Sequence, residues 1–213
     1  MEYFRIRQDH RYLHPPVITN TIDMVPGRRA VSLENSKRIP DVNILFADAP
    51  YSLDFLDVLD SQLFLVSPEV KKVFLIYESE MAFKEVCILN NKAEEYRLYA
   101  LPLFLEMDCL AEGSIVSPDR SHVKRLCLRK DPEAPSIFKV AGLMTDVVMI
   151  RLDVAESLLR RGIHRFLLES VEWEGEGPAE IWQGEFMDQA VFLCGWEAVR
   201  GIAAVAGNRG IPM

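Results

Sequence analysis

With 213 residues, 49% hydrophobic, 26% charged and 9% aromatic, the chain has the composition of an ordinary globular protein, which excludes fibrous and low-complexity classes. Lys and Arg number 24 against 32 Asp and Glu, a net charge of −8 with a pI near 5.1, so the basic footprint of a nucleic-acid binder is missing. A chain of this length buries roughly 70% of the surface its unfolded form exposes, enough core to fold without staples.

In chain order, Tyr3–Arg7 alternates polar and apolar residues and reads as a strand. Turn formers crowd the first 50 residues at His14-Pro15-Pro16, Val25-Pro26-Gly27, Ile39-Pro40-Asp41 and Ala49-Pro50. Only short strands such as Val42–Phe46 fit between them. Ser52 followed by Leu53, Leu56 and Leu59 predicts a capped helix. Leu63–Val66 is a short apolar strand leading into Ser67-Pro68-Glu69, where an N-cap, a first-turn Pro and a first-turn acid open a second helix. Phe83–Leu89 and Tyr96–Leu101 read as strands of a loose hairpin through Asn90-Asn91-Lys92. Val147–Ile150 is again an apolar strand. Asp153 is the expected N-cap of the helix after it, and Arg160-Arg161-Gly162 its C-terminus. A strand at Phe166–Leu168 follows, then a helical stretch over Asp188–Gly207 weakened by Gly195 and Gly201, and a terminal tail.

Laid 84 positions apart, Leu63–Leu75 and Val147–Leu159 match without a gap: four apolar residues, an acid, a shared Val and a helix. The expected architecture is a single α+β domain over residues 1–213, with a mixed, mainly antiparallel sheet and a few flanking helices. Within it, 1–62 is the Pro-rich part, 63–173 the central body and 174–213 a helical segment and tail. The pattern allows a weak internal strand–helix–strand repeat, or two independent excursions of the same kind.

Motifs for chemistry are scarce. There is no phosphate-cradling GxxxxGK[ST] or GxGxxG, no GxSxG and no HExxH. His10 and His14 stand four apart beside Asp9, but Pro15-Pro16 follows at once, which favours a surface turn over a metal pair. Asp108-Cys109, with His122 or His164 as a distant base, has the residue types of a thiol nucleophile. A small buried hydrophobe is the simpler role for Cys109. No catalytic residue, metal ligand or cofactor is assigned. The four cysteines (Cys87, Cys109, Cys127, Cys194) lack CxxC spacing and read as reduced thiols. There is no apolar leader and no membrane-length apolar run, so the expected setting is cytoplasmic, away from membranes.

Charge is unevenly placed. Ile39–Val70 and Phe166–Val199 together hold fourteen acids and no Lys or Arg, and the rest of the chain carries a cationic excess of six. All three tryptophans lie in the second block. Acidic surface speeds association with basic partners, and Trp is a frequent interface anchor. Asp54, Asp57, Glu174 and Glu176, with Trp173 and Trp182 as anchors, are therefore the candidate partner-binding residues.

An ordered series of short pieces over residues 63–173 carries a family resemblance. They are Leu63-Phe64-Leu65-Val66-Ser67, Tyr99-Ala100-Leu101-Pro102, Met107-Asp108-Cys109-Leu110, Ile137-Phe138 with Gly142, and Val147-Val148-Met149-Ile150 on to Gly162. In this order the stretch resembles the immunity proteins of bacterial polymorphic toxin systems, the myxobacterial-type immunity domain. Arg151 stands where that pattern commonly has Ser. The resemblance implies a non-enzymatic cytoplasmic protein that binds and neutralises a cognate toxin, which the acidity of this chain would suit if basic. It brings no catalytic residues with it. The alternatives are an enzyme with a cleft assembled from distant residues, and a structural component that forms homo-oligomers through Ala190–Ala206.

Overall fold

The computed structural model describes residues 2–20 and 31–175. The chain divides into two units, Met1–Gly177 and Pro178–Met213, and the described residues belong to the first. The expected turn at Val25-Pro26-Gly27 and the expected helix over Asp188–Gly207 lie outside them, as do Glu176 and Trp182. In chain order the elements are β1 (Tyr3–Arg7), a 3-10 turn (Ser36–Arg38), β2 (Val42–Phe46), β3 (Val58–Leu59), β4 (Leu65–Val66), α1 (Pro68–Tyr77), β5 (Ala82–Asn90) and β6 (Glu95–Leu103). There follow β7 (Glu106–Met107), β8 (Ile115–Val116), β9 (Val123–Arg125), β10 (Cys127–Leu128), β11 (Ile137–Val140), β12 (Val148–Arg151), α2 (Leu152–Arg160), β13 (Leu167–Ser170) and β14 (Glu172–Trp173). This is an α+β fold with mixed, mostly antiparallel sheets.

Two five-stranded sheets dominate. The first has the order β13-β1-β12-β11-β7 and the second β2-β5-β6-β4-β3. Each contains the same unit. A short antiparallel hairpin (β3-β4, β11-β12) leads into a helix and then a strand (β5, β13) that lies parallel to the second hairpin strand. An antiparallel strand separates those parallel two: β6 in one sheet and β1 in the other. The 84-residue pattern match thus marks two split β-α-β units of like topology.

The matching positions also share burial. Phe64, Val66, Val70 and Phe74 pair with Val148, Ile150, Val154 and Leu158 across that spacing, and all eight lie in one central core. Phe4, Ile6, Val58 and Ala100 complete it from the two sheets. The period-2 alternation of strands sends their neighbours to the opposite faces. Leu65, Tyr99 and Leu101 pack under the Pro-rich segment with Ile18, Ile39, Leu53 and Leu56. Tyr3, Phe138, Val147 and Met149 pack with Cys109, Leu128 and the half-buried Trp173. Tyr77 Oη–H donates to the Asp153 carbonyl at 2.9 Å, joining the two helices.

The expected helix from Ser52 does not form. Leu53, Leu56 and Leu59 are buried as their spacing required, but the chain is extended or looped and only Val58–Leu59 is regular. Distant groups take its polar atoms: the Ser52 hydroxyl and Leu53 N–H donate to the Glu95 carboxylate at 2.9 and 2.8 Å, and the Leu56 carbonyl accepts from Tyr99 Oη–H at 2.8 Å. Tertiary hydrogen bonds here override a weak helical preference.

Both true helices show their signals. Ser67 caps α1, its hydroxyl accepting from Val70 N–H, with Pro68 in the first turn. At the other end of α2, Ile163 N–H donates to the Leu158 carbonyl and Gly162 N–H to Leu159, with Gly162 at φ +75°. That pair of bonds is a Schellman cap, and it needs the left-handed residue. The start of α2 differs from expectation. The N-cap is Arg151, with no side-chain cap, because β12 runs straight into the helix. Asp153 instead sits in the first turn, accepts from Val154 N–H at 2.9 Å and holds the Arg151 guanidinium at 2.7 and 2.8 Å. The hairpin of β5 and β6 is tighter than a loose loop: residues 91–94 suffice, with Glu94 at φ +53°.

Candidate functional site

The acids of the Lys-free and Arg-free blocks find cations elsewhere in the chain. Asp41 meets Lys84 at 2.6 Å, Asp48 meets Lys92 at 3.0 Å and Asp60 meets Arg7 at 3.4 Å. Glu169 meets Arg7 at 3.1 Å, and Glu172 meets Arg125 at 2.6 Å. Segregation along the sequence is therefore undone by folding over much of the described blocks.

The candidate binding residues divide accordingly. The Asp54 carboxylate accepts from His14 N–H at 3.0 Å. The Asp57 carboxylate accepts from the Ser67 hydroxyl at 3.0 Å and from Arg165 N–H at 3.0 Å. Both half-buried aspartates thus hold the chain together, Asp57 by joining the cap of α1 to the approach to β13. Trp173, on β14, lies against Tyr3 with ring centroids 5.9 Å apart. Glu174 is exposed. The aspartates and the Trp173-Glu174 pair lie in different segments, and among the described residues no hydrogen bond or ion pair joins them directly. Cys109 is buried, and burial pushes its thiol up to about 11, so at neutral pH it is a protonated core side chain. His122 and His164 are exposed, bonded to Ser121 and to the Gly162 carbonyl. Asp9 is buried, and its hydrogen bonds from Arg11 hold its carboxyl below the usual range. His10 and His14 are exposed on the turn beside it. Among the described residues no three His, Cys, Asp or Glu side chains gather as a metal site. No described helix is long and apolar enough to cross a membrane.

One surface stands out. Helix α1 packs on β4 and β6 of the second sheet, and the outer part of the same face, on β2 and the neighbouring halves of β5 and β6, stays open. Register lines up Ile44 with Cys87 and Leu98, and Phe46 with Leu89 and Tyr96. Val42 lies beside Glu85 in the next row. Val42, Ile44, Tyr96 and Leu98 are 69%, 54%, 66% and 53% exposed, with Phe46 also exposed and Cys87 and Leu89 half-buried between them. Lys71 of α1 closes the helix side, paired with Glu85 and lying 5.4 Å over the Phe83 ring. The Asp48–Lys92 pair stands at the hairpin end. Contiguous exposed apolar rows with ion pairs at their edges have the anatomy of a protein–protein contact.

The edge of β2 is less available. Thr19 N–H donates to the Phe46 carbonyl at 2.8 Å, and Asn20 bonds both the Ile44 carbonyl and Phe46 N–H, which blunts strand addition. The face, rather than the edge, is the accessible feature. Its sequence signal was the apolar character of Val42, Ile44, Leu45 and Phe46 on both strand faces. A strand with one covered face needs only alternate apolar residues. Leu45 is buried beneath the Pro-rich segment, so the other three are surplus to the core. No protein-family model matches the chain, and no curated protein matches it.

Proposed function

We propose that the chain is a binding protein that neutralises a cognate protein toxin by stoichiometric contact, and that the open face of the second sheet is its binding surface. The observation that carries this reading is the contiguous apolar area of Val42, Ile44, Phe46, Tyr96 and Leu98, solvent-exposed in a chain with ample core elsewhere. The resemblance over residues 63–173 supplies the class of partner, and the net charge of −8 suits a cationic one. Apolar side chains at the centre of such a contact govern dissociation, while the surrounding charges act on the association rate.

The test begins with the neighbouring genes, where a large secreted protein with a variable C-terminal domain is expected. That C-terminal domain is purified and titrated against the wild-type chain and the Ile44→Asp and Leu98→Asp variants. A one-to-one complex is expected, with each variant costing about 2 kcal/mol or more, mostly through faster dissociation. The variants should keep wild-type melting temperatures, because both side chains are already exposed. Binding unchanged by both substitutions overturns the assignment of the face. A dimer of the chain alone that Leu98→Asp dissolves overturns the toxin reading in favour of self-association.

A further inference from the structure

On the other sheet, an open groove of about 360 Å³ lies between β1, β13 and the segment around β9. Its walls include Arg5, Arg7, Lys124 and Arg125 against two carboxylates, Glu169 and Glu172. In a chain of net charge −8, this is a local cationic excess.

The cations are unevenly satisfied. Arg125 is paired, with Nε and Nη2 donating to Glu172 Oε2 at 2.8 and 2.6 Å. Arg7 divides itself between Glu169 and Asp60. Arg5 is mostly buried, yet its only ion pair among the described residues is a 3.6 Å approach to the same Glu169. Its Nε–H is buried with no acceptor among the described residues. Lys124 is exposed and has no ion pair among the described residues. Buried guanidinium hydrogens are almost always satisfied, and an unsatisfied one marks a missing partner. Burial and the neighbouring Arg7 both hold the Arg5 guanidinium below its ordinary value, the electrostatic sign of a cation short of counter-charge.

We propose that this groove binds the phosphoryl group of a small molecule, held by Arg5 and Lys124. Guanidinium forks match phosphoryl oxygens in pairs, and four cations against Glu169, Glu172 and the Asp60 that shares Arg7 leave the groove a net positive charge for an anion. The volume lies at the small end of ligand sites, too small for a nucleic-acid track in a chain without a basic stripe. The site lies on the first sheet, and the proposal does not depend on the toxin-binding reading.

Inorganic phosphate is the probe, titrated at constant ionic strength and followed by nuclear magnetic resonance of the backbone amides and the arginine Nε–H groups. Saturable one-site shifts centred on Arg5 and Lys124 are expected, with affinity rising between pH 5 and 7 as phosphate takes its second charge. Arg5→Gln and Lys124→Gln should each weaken binding at least tenfold, and Lys92→Gln, in the β5-β6 turn, should leave it unchanged. Lys124 is exposed, so its variant keeps the test valid should Arg5→Gln fail to fold. Shifts that chloride reproduces at equal ionic strength, or wild-type affinity in Lys124→Gln, overturn the proposal.

Discussion

Asp57 shows how one side chain acquires its task from the fold. Its carboxylate accepts from Ser67 and Arg165, and its backbone N–H and carbonyl bond the Arg165 carbonyl and the Ser67 N–H. Replacing it by Ala leaves a part-buried cap hydroxyl and an exposed backbone N–H without their acceptor. Asp57→Ala is expected to lower stability by about 2 kcal/mol, read as a lower urea midpoint at unchanged slope. A carboxylate whose only role is to attract a basic partner would instead leave the midpoint unmoved and slow association. The two roles separate in one pair of measurements.

At the level of elements, capping decides where the helices stop. Gly162 has φ +75°, and a Cβ built there meets nothing within 4 Å. The cost of Gly162→Ala is therefore backbone strain alone, about 1 kcal/mol, with no steric term. A thermal melt should show the drop, and Gly162→Asn should lose less, because Asn tolerates the left-handed region better. The start of the same helix teaches the opposite lesson. Asp153 has the chemistry of an N-cap, but β12 hands its last residue, Arg151, to that position, and the aspartate serves as an ion-pair partner in the first turn.

For the whole molecule, the decisive feature is the core that both sheets share. Leu158 of α2 is fully buried among side chains from β1, β4, α1, β11 and β12. Leu158→Ala should cost about 3 kcal/mol through lost burial and a residual cavity. Because this core is common to both split β-α-β units, the loss should be felt in both. Amide exchange in β5-β6 and in β1-β12 should accelerate by the same factor. Acceleration confined to the first sheet would show the two units opening independently.

What could be read from the sequence follows from the range of the forces involved. Strand alternation at Tyr3–Arg7, the Ser67-Pro68 start of α1, the Gly162 stop of α2 and the 84-residue match are all set by contacts within about one turn or one pleat. Local residues determine such features, and they stand in the fold. The spacing of Leu53, Leu56 and Leu59 correctly marked buried positions, but not a helix, because Glu95 and Tyr99 claim the backbone there. The candidate site was legible only in part. The charge blocks were visible, but their neutralisation by Lys84, Lys92, Arg7 and Arg125 depends on pairs up to 162 residues apart in numbering, such as Arg7 with Glu169. The same holds for the insertion of β1 between β12 and β13, which brings Arg5 and Arg7 to Glu169 and builds the groove. It holds also for the open face, since only packing shows that α1 covers one part of the second sheet and leaves Ile44 and Leu98 bare. The sequence by itself determined the elements whose signals are local, such as β1, the start of α1 and the end of α2, and the positions such as Leu53 and Leu56 that are buried. Only the tertiary structure decided which charges meet and which apolar rows stay in water, because those outcomes depend on strand order and long-range pairing, to which no local pattern is sensitive.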